Sequence, residues 1–217
     1  MLSAVPALLV LLFWPPAPAQ KTVSPEPELA YYSVSPAFEY HRHFDSVSAV
    51  DFRNMELNIF DAKGKVRVAA KLKDGIYETS GTPRNWVAIN SISYFDFQAG
   101  KPRYALLSFL WTWTGADAAS YGGVQLFTIQ NGWLTVVQQI FFIARHAGAG
   151  ATFDPATGAL FVNSSHYLQV DAHCCPSRQD VIRYAWSGHD FRQVEVKTFP
   201  VAAPPSLRIQ SPRAKPN

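Results

Sequence analysis

The residues of this sequence that could do chemistry are concentrated between positions 166 and 178. The segment combines histidines, an aspartate, two adjacent cysteines, a proline and an arginine: His166, Asp171, His173, Cys174, Cys175, Pro176 and Arg178. Cysteine and histidine side chains can act as nucleophiles or metal ligands, and two thiols can be oxidised to a disulfide. No other cysteine occurs in the chain. Three kinds of chemistry are therefore compatible with this segment.

The first interpretation is a vicinal disulfide between Cys174 and Cys175, which is the expected state of such a pair in an oxidising compartment. The bond would close a small ring and lock a tight turn before Pro176. No residue lies between the two cysteines, so the loop-closure entropy gained from ordinary disulfides is nearly absent. We expect the bond to shape one rim of a binding site, formed by His166, Asp171, His173, Pro176 and Arg178.

The two alternatives use the same residues as a reactive centre. His173 and Arg178 could supply the positive charge that makes a thiolate reactive, but dithiol catalysts generally use Cys-x-x-Cys spacing. Both cysteines with His166 and His173 could instead bind zinc or copper, although consecutive residues seldom converge on one ion. A thiol-redox or metal-handling function is thus the alternative. The leading interpretation includes no catalytic residue, metal or cofactor.

The first nineteen residues indicate the compartment in which this chemistry would occur. Residues 1–19 contain no Asp, Glu, Lys or Arg, and Leu8 to Trp14 is an unbroken apolar run. Ala17-Pro18-Ala19 places small residues where signal peptidase cuts, which predicts a signal peptide of residues 1–19. The apolar run is shorter than the ~20 residues of a membrane span. We expect a secreted or periplasmic protein without a membrane span after cleavage.

Composition indicates a single folded domain. The chain has 217 residues, of which 48% are hydrophobic and 16% charged, enough for one sizeable core. The 19 basic and 16 acidic residues are scattered, so no basic cluster suits nucleic acid. Residues 20–27 are predicted to be an extended lead-in and residues 28–199 a β domain. The proline-rich residues 200–217 are predicted to be a disordered tail.

Within residues 28–199, β-branched and aromatic runs alternate with turn signals. Asn131-Gly132 between two apolar runs is the strongest hairpin signal, because both residues tolerate a positive φ. Further turns are predicted near residues 61–64, 100–102, 154–158 and 187–190. Tyr104 to Trp113 carries apolar residues on both faces and should be a central strand. The fold prediction is all-β, a single antiparallel sandwich or curled sheet of about ten to twelve strands.

Other candidate residues have simpler interpretations. His41 and His43 have the spacing that puts two rings on one strand face, but without a third ligand nearby they are predicted to be surface histidines. The six tryptophans lie mainly on predicted strands and are expected to serve the core. The sequence also has no nucleophile elbow, phosphate loop or dinucleotide fingerprint. We therefore expect a non-enzymatic domain of the cell envelope that binds an unknown ligand or protein.

The segment His173-Cys174-Cys175-Pro176-Ser177, followed by Tyr184-x-Trp186-x-Gly188, resembles a group of uncharacterised bacterial exported domains that includes LppP/LprE-type lipoproteins. The resemblance covers roughly residues 50–196. It implies an exported β domain with a Cys-Cys turn and no established reaction. In many such domains, the segment that corresponds to residues 96–103 looks like a calcium-binding loop. Here Asp96 is its only carboxylate, so no calcium site is expected.

Overall fold

The structure, a computed structural model, describes residues 31–80, 84–96, 103–114, 119–145, 148–172 and 175–201. These residues form two short 3-10 helices, Val47–Ala49 and Phe52–Asn54, and thirteen β-strands. The strands are β1 (Tyr31–Val34), β2 (Phe38–His43), β3 (Glu56–Phe60), β4 (Val66–Lys71), β5 (Ile76–Glu78), β6 (Arg84–Phe95), β7 (Tyr104–Thr114), β8 (Ala119–Gln130), β9 (Trp133–Ile143), β10 (Gly150–Asp154), β11 (Ala159–His166), β12 (Arg178–Trp186) and β13 (Phe191–Pro200). The all-β prediction is confirmed. The strands that the turn signals did not predict are β1, β2 and β5.

All strand pairs in the described residues are antiparallel. The largest sheet has seven strands in the order β1-β9-β8-β7-β6-β5, and β2 also pairs with β9. Strands β10 to β13 form a second sheet in sequence order, and β3 pairs with β4 in a two-stranded ribbon. This arrangement of consecutive hairpins explains why the local turn signals were informative.

The Asn131-Gly132 hairpin connects β8 and β9, as predicted. Asn131 has a φ of 52° and Gly132 a φ of 83°, so both residues adopt the left-handed conformation that this turn requires. The turns predicted near residues 61–64, 154–158 and 187–190 also join paired strands. The turn predicted at residues 100–102 lies outside the described residues.

The seven-stranded sheet is covered on both faces, as the sequence of β7 predicts. Leu107 and Phe109 belong to a core formed with the β3–β4 ribbon and the 3-10 helices. Leu106, on the opposite face, belongs to a second core formed with β11, β12 and β13. Because neighbouring strand residues point to opposite faces, the large sheet lies between two flanking layers. This position confirms that β7 is a central strand.

Several predictions concern the two ends of the chain, and the structure does not test them. The signal peptide, the lead-in and residues 202–217 of the predicted tail lie outside the described residues. Within the described part of the chain, β1 begins at Tyr31 and β13 ends at Pro200. No helix in that part is long and apolar enough to cross a membrane.

Candidate ligand-binding site

The predicted binding rim is divided between two strand ends and the loop that connects them. His166 is the last residue of β11, and Arg178, the first residue of β12, lies directly opposite it in the strand register. Asp171 lies in the connecting loop. His173 and Cys174 lie outside the described residues, so the disulfide and metal hypotheses that need them stay predictions.

The Asp171 carboxylate holds the loop together. Its Oδ2 accepts hydrogen bonds from the backbone N–H of Leu168 at 2.7 Å and of Ser177 at 2.9 Å, and from the Ser177 hydroxyl at 2.9 Å. The hydrogen bonds from the backbone of Ser177 and Leu168 hold the pKa of the Asp171 carboxyl below its usual range, because they stabilise the ionised form. The carboxylate therefore closes the loop on either side of the cysteines.

His166 forms a hydrogen-bonded chain with two residues that the sequence did not single out. Its Nδ1 lies 2.8 Å from Oδ2 of Asp180, and Oδ1 of Asp180 accepts a hydrogen bond of 2.6 Å from the Thr198 hydroxyl. The Asp180 side chain is only 5% exposed. Which of the two atoms donates depends on the tautomer of the His166 ring. The hydrogen bonds between His166, Asp180 and Thr198 connect β11, β12 and β13 at the polar end of the second core.

The remaining predicted rim residues differ in exposure. Pro176 is buried and contributes to packing, whereas Cys175 and Arg178 are exposed. In the described part of the chain, no group of three His, Cys, Asp or Glu residues is arranged to hold a metal ion. At the position of the calcium loop, Nε of Arg103 donates a hydrogen bond of 2.8 Å to Asp96. The Asp96 carboxylate is thus paired with a cation.

A cleft of about 530 Å³ lies elsewhere, between β2 and the β3–β4 ribbon. Its apolar lining includes Val50, Leu72 and Leu134, which are at most 7% exposed, together with Phe44 and Met55. Among the described residues, none of those that line the cleft belongs to the segment from His166 to Arg178. The cleft is therefore a separate feature from the described part of that segment.

A bulge in β2 forms one wall of the cleft. Tyr40 lies opposite Leu134 and His43 lies opposite Trp133, so His41 and Arg42 have no partner residue on β9. Extra residues of this kind bend a strand and re-aim its side chains, and both His41 and Arg42 line the cleft. The Arg42 guanidinium carbon lies 5.3 Å from the centroid of the Phe44 ring.

The two histidines of β2 are exposed, as predicted. The ring centroid of His43 lies 4.2 Å from that of Trp133, and the ring centroid of His41 lies 6.2 Å from it. His43 is thus held against Trp133, while His41 contacts the same indole edge-on and also lines the cleft. His41 is therefore part of the cleft wall, whereas His43 does not line the cleft.

The opposite wall is the open end of the β3–β4 ribbon. Glu56 begins β3 and Lys71 ends β4, and these two residues lie opposite each other in the register. Tyr40 joins the walls, since its hydroxyl accepts a hydrogen bond of 3.1 Å from the backbone N–H of Asn58. Burial raises the pKa of Tyr40 to about 12, so the hydroxyl is neutral at physiological pH.

The third side of the cleft comes from the segment around the 3-10 helix Phe52–Asn54. Oδ1 of Asp51 accepts a hydrogen bond of 3.2 Å from the N–H of Arg53, and Oδ2 accepts one of 2.9 Å from Nδ2 of Asn54. Oδ1 of Asn54 accepts a hydrogen bond of 2.9 Å from the N–H of Asp74. These bonds fix the position of the Asp51 carboxylate at the rim.

The sequence did not predict this cleft, because four separated segments form it and none carries a local motif. A search of protein-family models, of curated proteins and of solved structures gives no match for this chain.

Proposed function

We propose that this protein is a non-enzymatic, exported domain of the cell envelope that binds a small ligand in the cleft between β2 and the β3–β4 ribbon. The observation that carries this proposal is the cleft itself, with a volume of about 530 Å³, an apolar floor and charged residues along its walls. Small-molecule sites are typically clefts of about 300–1,000 Å³, mainly apolar with a few placed polar groups. The cleft lies within this range of volume and combines an apolar floor with polar and charged side chains.

The residues of the cleft favour binding over catalysis. The described residues that line it include no Ser, Thr or Cys that could act as a nucleophile. The Tyr40 hydroxyl is neutral and bonded to Asn58, and the Asp51 carboxylate is bonded within its own segment. A Ser, Thr or Cys nucleophile activated by a general base is therefore not present among the described lining residues.

Export is supported by the sequence of residues 1–19. The part of the chain that the structure describes holds no free cysteine. A disulfide between Cys174 and Cys175 would be consistent with an oxidising compartment. The resemblance to bacterial exported domains points to the same location.

A thermal-shift screen of the mature protein tests the proposed function. The panel contains apolar dipeptides, fatty acids, sugars and nucleosides. We compare the wild type with Met55→Trp, which fills the cleft from its wall, and with the control Val66→Trp on an exposed position of the same ribbon. A ligand of the cleft should raise the melting temperature of the wild type and of the control only. If no compound does so, or if Met55→Trp responds equally, the proposal is wrong.

A further inference from the structure

We propose that the ligand of the cleft is a short apolar peptide with a free amino end and a free carboxyl end. This inference rests on the proposed function and adds the chemical class of the ligand. It is drawn from three properties of the cleft: the signs of its charges, the placement of those charges on different walls, and the apolar floor between them.

The cleft carries two residues of each charge. Arg42 and Lys71 are basic, Asp51 and Glu56 are acidic, and all four are exposed. Although Glu56 and Lys71 are opposite each other in the register, neither forms an ion pair with any described residue, and the same is true of Arg42. A ligand with one sign of charge would meet attraction and repulsion in this cleft. A zwitterion can be complementary to both.

Arg42 and Glu56 lie on different walls of the cleft. Arg42 projects from the β2 bulge, and its planar guanidinium is suited to a two-point contact with a carboxylate. Glu56 begins β3 on the opposite wall, and its carboxylate forms no hydrogen bond with the described residues. Arg42 therefore recognises the carboxyl end of the peptide, and Glu56 recognises the amino end.

The floor between these walls accepts apolar side chains. Leu72 and Leu134 are buried beneath the opening, and Phe44 and Met55 stand partly exposed beside it. A free sugar would leave this floor uncovered, and a fatty acid would satisfy only the basic residues. A dipeptide with two large apolar side chains covers the floor and places opposite charges at its two ends.

Isothermal titration calorimetry with the dipeptide Leu-Phe tests this inference. The comparison ligands are N-acetyl-Leu-Phe, Leu-Phe-amide and dodecanoate. Each capped peptide loses one charged contact, so we expect each cap to weaken the dissociation constant by about tenfold or more. Dodecanoate should bind more weakly than Leu-Phe.

Two variants assign the ends of the peptide. Arg42→Gln should bind Leu-Phe and Leu-Phe-amide equally, because the contact with the carboxylate is lost. Glu56→Gln should bind Leu-Phe and N-acetyl-Leu-Phe equally. The matched controls are Lys63→Gln and Glu39→Gln, which remove exposed charges that do not line the cleft. Both controls should keep the preference of the wild type for the uncapped peptide.

The outcomes separate this inference from the proposed function. If dodecanoate binds, Leu-Phe does not, and Met55→Trp abolishes the binding, the cleft is a ligand site and the peptide inference is wrong. Equal binding of capped and free Leu-Phe also overturns it. If neither these ligands nor the screening panel binds in a way that Met55→Trp prevents, the proposed function itself is wrong.

Discussion

Gln138 and Gln139 are neighbours on β9, and their side chains fasten the two flanking layers to opposite faces of the large sheet. Oε1 of Gln139 accepts a hydrogen bond of 3.0 Å from the N–H of Phe60, and its Nε2 donates one of 2.8 Å to the Phe60 carbonyl. Gln138 forms the same pair of bonds with Phe191, both at 2.8 Å. Each side-chain amide thus pairs with backbone as a neighbouring strand would.

The first prediction concerns this pairing. Gln139→Leu preserves the size of the side chain but removes the acceptor of the buried Phe60 N–H, whereas the Phe60 carbonyl keeps a hydrogen bond of 2.6 Å from the Tyr32 hydroxyl. We expect the free energy of unfolding to fall by about 1–3 kcal/mol, which is the cost of one unsatisfied buried group. Urea denaturation measures the loss. The control Gln130→Leu, at an exposed end of β8, should stay within about 0.5 kcal/mol of the wild type. A similarly small change in Gln139→Leu would contradict the assigned role.

A second prediction concerns the close approach of Gly123 to Phe109 in the first core. A Cβ added at Gly123 would lie 2.1 Å from Cζ of the Phe109 ring. Gly123→Ala should therefore lower the free energy of unfolding by about 1–3 kcal/mol through overpacking. In the Phe109→Leu background the same substitution should cost less, which a double-mutant cycle by urea denaturation measures.

The matched control for Gly123→Ala is Gly150→Ala, since a Cβ at Gly150 meets nothing within 4 Å. It should change stability little. Equal costs for Gly123→Ala with and without the Phe109 ring would show that the ring is not what requires glycine there.

The third prediction concerns the acid stability that Asp171 provides. Its carboxyl has a pKa below the ordinary value in the folded protein, because backbone N–H groups of Ser177 and Leu168 bond to the ionised form. The stabilisation that ionised Asp171 provides is therefore fully present above the ordinary pKa of about 3.9. It is lost as the pH falls through the lower pKa that Asp171 has in the folded protein. The difference in urea midpoint between wild type and Asp171→Asn should be constant near neutral pH and shrink in this acidic range.

The control for Asp171→Asn is Asp45→Asn, which changes an exposed carboxylate that has no hydrogen bond with the described residues. The difference in urea midpoint between wild type and Asp45→Asn should be small at every pH. If the difference in urea midpoint between wild type and Asp171→Asn stayed constant down to the lowest pH at which the protein is folded, the charge of Asp171 would not be what stabilises the loop.

The fourth prediction concerns Cys174 and Cys175. We expect the purified mature protein to have the mass of a chain that has lost two hydrogens, without added mass and without thiols that react with an alkylating agent. Reduction before alkylation should then label both cysteines. Two alkylatable thiols in the unreduced protein would contradict the vicinal disulfide.

The features that the sequence predicted correctly depend on local chemistry. The hairpin at Asn131-Gly132 follows from residues that tolerate positive φ, and the central position of β7 follows from its two apolar faces. The sequence analysis did not predict β5, although Asp74-Gly75 directly before it is a turn signal in which both residues adopt a positive φ. β5 has only three residues, too few to show an alternating pattern.

The candidate site depends on residues that come together only in the folded chain. The β2 bulge that exposes Arg42 to the cleft is an irregularity in pairing with β9, and the sequence of β2 alone does not specify it. Asp180 alternates with Ile182 and Tyr184, which places it on an inner face, but its partner His166 lies fourteen residues earlier. Such long-range pairs need the strand register, which single-sequence patterns do not supply.

The most direct test of the ligand site is amide NMR of the ¹⁵N-labelled mature protein during titration with Leu-Phe. We expect saturable shifts at residues that line the cleft, including Arg42, Glu56 and Lys71, and no such shifts in Met55→Trp. Shifts concentrated between His166 and Arg178 instead, or no saturable shifts at all, would contradict it.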